Sequence, residues 1–112
     1  MNDIVYTQLI KDVRVFTTTK EGSRLLFVHV TGYSERGKPG LPVLIRKKGE
    51  EQENPELAEF DFMVCTREES SQEDHLEWEV NEVWYADSFN QELKAIKIIA
   101  LENADIALVE QL

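Results

Sequence analysis

The sequence predicts an α+β domain: an antiparallel, strongly twisted sheet or small barrel of about five strands, closed off by a C-terminal helix. Three observations lead there. Short runs rich in Val, Phe, Thr and Trp fill residues 13–85, several with an apolar/polar alternation of period two. Dense polar loops with Gly, Pro or acids separate those runs. From Ser88 onward the apolar spacing lengthens to that of a helix.

The first element is a hairpin. Residues 13–19 and 25–31 are rich in β-branched side chains, and "KEGS" between them places Gly22 where a tight loop needs a positive φ. Phe16 and Phe27 lie inside these apolar runs and read as core. "GYSERGKPGLP", residues 32–42, holds five Gly and Pro and is expected to be an exposed loop. "VLIRKK" is a short strand ending in Arg46, Lys47 and Lys48, cations that also discourage edge-to-edge pairing. "GEEQENPE" is a second loop. "EFDFMVCT" is a strand whose Phe60, Phe62 and Val64 share one face, and "REESSQEDH" is a third loop.

"LEWEVNEVWY" carries the most information. Leu76, Trp78 and Val80 alternate with Glu77 and Glu79, a strand with one buried and one solvated face. The rhythm breaks at Asn81-Glu82 before Val83 and Tyr85 resume it, so a bulge or tight turn is expected near Asn81. At the end of the chain, Ser88 and Gln91 form a capping-box pattern, and Phe89, Leu93, Ile96 and Ala100 fall on one helical face. The competing arrangement is a hairpin of "AIKIIALE" and "IALVEQL" joined at "NAD".

One domain fits a chain of 112 residues, and 42% hydrophobic residues with ten aromatics are enough for one core. Cys65 is the single cysteine, so no internal disulfide can form, and a reducing, cytoplasmic setting is expected. No apolar run is long enough to span a membrane as a helix, and the N-terminus lacks the features of a signal peptide.

Charge is split along the chain. Residues 1–49 carry nine Lys and Arg against four acids, a net +5, and residues 50–112 carry three against eighteen, a net −15. Together they make the formal −10. Internal pairing is the simplest account, at about 0–1 kcal/mol per exposed pair. The sharper one is an acidic face offered to a basic protein partner, where complementary charge speeds encounter and rejects wrong partners.

Chemistry is sparse. His29 sits mid-strand and His75 beside Asp74 in an acidic loop, positions that suit packed or solvated histidines better than catalytic bases. Cys65 between Val64 and Thr66 reads as a small buried hydrophobe. The acidic loops lack calcium-loop spacing, two His and one Cys do not make a zinc site, and no phosphate-loop motif is present. No catalytic residue, metal site or cofactor is therefore expected. A non-enzymatic protein-binding module, of the small regulator or inhibitor kind, is expected to use Glu77, Glu79 and Glu82 on a solvated strand face, with Trp84 as the aromatic anchor if it is exposed and as core if it is not. The alternative is single-stranded nucleic-acid binding. In layout the early hairpin with Arg14, Lys20 and Arg24, followed by Arg46–Lys48, is similar to part of an OB-type barrel, with Phe16, Phe27 and Tyr33 as stacking candidates.

Overall fold

The computed structural model describes residues 2–47, 56–67, 69–86 and 93–111. It is a mixed β-sandwich, and among the described residues there is no helix. Nine strands run in chain order: β1 (Asn2–Tyr6), β2 (Leu9–Lys20), β3 (Ser23–Gly37), β4 (Gly40–Arg46), β5 (Leu57–Arg67), β6 (Glu73–Tyr85), β7 (Ala95–Ile99), β8 (Ala104–Leu108) and β9 (Glu110–Gln111). The four-stranded sheet has the order β6-β3-β2-β9. In the five-stranded sheet β5 is central. β4 covers one of its edges, β1 and β7 share the other, and β8 follows β7.

Alternation builds the core. Val13, Val15 and Thr17 of β2, Leu26, Val28 and Val30 of β3, and Trp78 and Val80 of β6 turn one face of their sheet inward. Ala58, Phe60, Phe62 and Val64 of β5 with Ile96 and Ile98 of β7 oppose them. Phe60, Phe62 and Val64 thus share the buried face that their spacing predicts.

The hairpin of β2 and β3 is as expected, and longer. Glu21 (φ 52°) and Gly22 (φ 81°) form a two-residue loop closed by the Lys20–Ser23 pair, the twist that right-handed strands need. A clip holds the sheets together at the other end of β2. The Asn103 side chain accepts from the Ile10 N–H at 2.8 Å and donates to the Ile10 carbonyl at 3.1 Å, where the β2–β3 register slips between Ile10 and Asp12.

Three expectations are corrected. The α+β class with a C-terminal helix gives way to an all-β sandwich, and the small barrel to two separate sheets. Residues 95–108 form the β7–β8 hairpin because β5 offers β7 a parallel edge, and Ile96 and Ile98 bury completely against it. The capping residues Ser88, Phe89 and Gln91 lie outside the described residues. Second, residues 32–42 are not a loop: β3 runs to Gly37 and β4 starts at Gly40. The glycines mark close approach instead. A Cβ on Gly32 would lie 2.7 Å from both the Leu9 carbonyl oxygen and Phe62 Cε2, and one on Gly40 would run into the Cys65 carbonyl oxygen. Third, no bulge interrupts β6 at Asn81, since β3 and β6 pair in one register from Leu25↔Tyr85 through Ser34↔Leu76.

Candidate partner-binding face

That unbroken register decides where the candidate residues point. Leu76, Trp78, Val80, Glu82 and Trp84 share the inward side of β6, and Glu77, Glu79, Asn81, Val83 and Tyr85 the outward side. Of the four predicted partner-binding residues, Glu77 and Glu79 therefore stand together on the exposed face, two positions apart. Glu82 and Trp84 turn inward. Trp84 is partly buried against the core, its indole stacked on Phe60 with ring centroids 4.7 Å apart.

Each carboxylate has a different environment. The Lys11 ammonium bonds to Glu77 and, with its charge nearby, holds that carboxyl below its ordinary range. Glu79 accepts from Asn81 Nδ2 at 3.1 Å, and His29 Nε2 lies 3.5 Å from its other oxygen. Glu82 is half-buried beside the sandwich interior. Burial pushes its carboxyl up, opposed by a hydrogen bond from the Trp84 side chain.

The two halves of the sequence meet in space. Lys11 pairs with Glu77, Arg36 approaches Asp74 at 4.0 Å, and Lys47 approaches Asp61 at 3.9 Å. In each pair the cation comes from residues 1–49 and the acid from residues 50–112, because β3 lies against β6, β4 against β5, and Lys11 of β2 reaches across β3 to Glu77. Lys48 and the acids Glu50, Glu51, Glu53 and Glu68 lie outside the described residues.

The outer face of the four-stranded sheet also carries an apolar patch, and it corrects the expectation that Phe16 and Phe27 are core. Phe16 and Phe27 face outward, half-exposed, and stack with centroids 5.2 Å apart and planes 16° from parallel. Leu25 lies next to them, and Val83 and Tyr85 are 54% and 62% exposed on the neighbouring strand. Parity was the available signal. Val13 and Val15 exclude Phe16 from their face, and Leu26 and Val28 exclude Phe27. The patch and the Glu77–Glu79 pair lie on the same outer surface along β6, with the polar row of Arg14, His29 and Asn81 between them.

Known proteins offer no parallel: the chain matches no family model, no curated protein and no solved structure.

Other reactive groups stay apart. His29 is half-exposed on this outer face, and His75 tilts against Tyr33 at 4.9 Å near the start of β6. Cys65 is a half-buried thiol on the outer side of the other sheet, beside Leu41 and Ile4 rather than in the core. Among the described residues no three His, Cys, Asp or Glu side chains group as metal ligands.

Proposed function

We propose that the protein is a non-enzymatic, intracellular protein-binding module that docks a segment carrying both apolar and basic side chains on the outer face of its four-stranded sheet. The observation that carries this reading is the outward side of β6, where exposed Val83 and Tyr85 and the carboxylates of Glu79 and Glu77 stand in one row on either side of Asn81. Strand positions hold such groups in place, so little side-chain entropy is lost when a partner binds. The aromatic end supplies the desolvated contact that anchors most interfaces, and the acidic end steers a basic partner. A small regulator or inhibitor is the class that this division of labour suits.

The nucleic-acid alternative draws on the same stacked Phe16 and Phe27. It needs cations gathered around them. Arg14 is instead engaged by Asp12 at 2.9 Å, and the β4 end with Arg46 and Lys47 belongs to the other sheet. Protein binding is the better-supported reading.

Capture from native lysate at low and high salt, with mass spectrometry of protein and nucleic acid, tests it. V83S/Y85S should abolish retention of the partner at both salts, and E77K/E79K should reduce it about tenfold or more at low salt. Retention equal to wild type in both variants would sink the reading, and recovery of nucleic acid alone would favour the alternative.

A further inference from the structure

The outer face of the five-stranded sheet is largely apolar. Reading across the strands, Leu41, Cys65 and Ile4 form one row and Val43, Met63 and Tyr6 the next. Ile45, Asp61, Ile99 and Ala104 form a third, and Ile106 and Leu108 extend the surface along β8. Leu41 is 67% exposed, Ile4 57%, Ile106 54% and Leu108 68%. Isolated exposed apolar side chains are ordinary, but a contiguous apolar surface of more than a few hundred Å² marks an interface.

Its central charges cancel within the face. Lys47 lies 3.9 Å from Asp61, Lys97 lies 3.8 Å from Glu59, and all four side chains are at least partly buried. A basic or acidic partner gains nothing from such a surface. For a chain of net charge −10, however, a locally neutral face is where a second copy approaches with least repulsion. The size suits a weak pairing. The strands of this sheet hold 5, 7, 11, 5 and 5 residues, which at ~3.3 Å each and ~4.8 Å between strands give a flat footprint of about 520 Å². A standard interface takes about 800 Å² from each partner and weaker ones take less.

We propose that the protein forms a two-fold symmetric homodimer in which the outer faces of two five-stranded sheets pack against each other. The same patch then serves both copies, as an isologous interface requires. The four-stranded sheets are left facing outward, so the dimer presents two copies of the Glu77–Tyr85 surface on opposite sides.

Sedimentation equilibrium of the full chain across about 1–100 μM, a range spanning typical affinities, reads the assembly directly. Wild type should reach twice the 13.0 kDa chain mass. L41E/I106E puts like charges into both halves of the interface at exposed positions, and should stay at chain mass with an unchanged circular dichroism spectrum. V83E/Y85E, on the opposite sheet, should still dimerise. Cys65 gives a second readout that needs no variant: its labelling by a soluble thiol reagent should slow as wild-type concentration rises. A wild-type chain that remains monomeric at the highest concentration overturns the proposal. So does an L41E/I106E dimer, or a labelling rate independent of concentration.

Discussion

Phe60 and Trp84 stack across the interior with ring centroids 4.7 Å apart and planes 12° from parallel. They come from β5 and β6, one strand of each sheet, so the pair ties the two layers where no backbone hydrogen bond joins those strands. Phe60 is 3% exposed, and truncating it to Ala should cost about 3–5 kcal/mol in urea denaturation. A double-mutant cycle with Trp84→Ala should return a coupling of about 0.5–1.5 kcal/mol, the excess expected of an aromatic pair beyond area burial. Strict additivity would mean that the stack is only shared burial.

Gly32 is held by its neighbours rather than by its backbone angles. The missing Cβ makes room for the Phe62 ring on one side and the Leu9 carbonyl on the other. Gly32→Ala should therefore destabilise by about 1–3 kcal/mol. Adding Phe62→Leu should recover only part of that difference, because the Leu9 carbonyl is backbone and cannot retreat as a side chain does. Full recovery in the double variant would show that the ring alone sets the requirement.

The Asn103 clip serves both backbone groups of Ile10 from a loop in the opposite sheet. Leu101 N–H to Thr7 O and Glu102 N–H to Gln8 O, at 2.8 and 3.0 Å, extend the same seam. Asn103→Ala leaves a part-buried donor and acceptor without their partner and should cost about 1–3 kcal/mol. Hydrogen exchange at the Ile10 amide should rise more than at Val28 in the core. Equal effects at both amides would assign the loss to global destabilisation instead.

Legibility followed parity and failed where tertiary partners decide. The β2–β3 hairpin and the buried Phe60–Phe62–Val64 row were readable because turn chemistry and alternation are local. The end of the chain was not. Leu93, Ile96 and Ala100 satisfy helical spacing, while Ile96, Ile98 and Ala100 satisfy a strand equally well. The choice was made by the parallel edge of β5, whose pairs with β7, such as Leu57↔Ala95, lie 38 residues apart in the chain. Gly32 and Gly40 misled for a related reason, since glycine marks close packing as well as turns. At the candidate site, Glu77 and Glu79 were placed correctly on the solvated side. The assumed slip at Asn81 reversed Val83 and Tyr85, and it hid that an edge strand tolerates an inward Glu82.

Glu82 and Glu77 should shift stability with pH in opposite directions. Burial raises the Glu82 carboxyl above its unfolded value, with the Trp84 hydrogen bond opposing. The folded state then binds more protons than the unfolded one between those two values, so this group costs stability as pH rises through that window. Glu82→Gln should raise the urea midpoint at about pH 7, and the gain should shrink toward about pH 3, where the carboxyl is protonated in both states. Glu77 is the reverse. Its folded value is lowered by the hydrogen bond from Lys11 and then by that residue's charge, so its contribution is present above the unfolded value and is lost as pH falls through the folded one. Glu77→Gln should lower the midpoint near neutral pH and converge with wild type in acid, and 1 M salt should weaken the effect because the pair is exposed. Parallel pH profiles for the two variants would contradict the inward placement of Glu82 on β6.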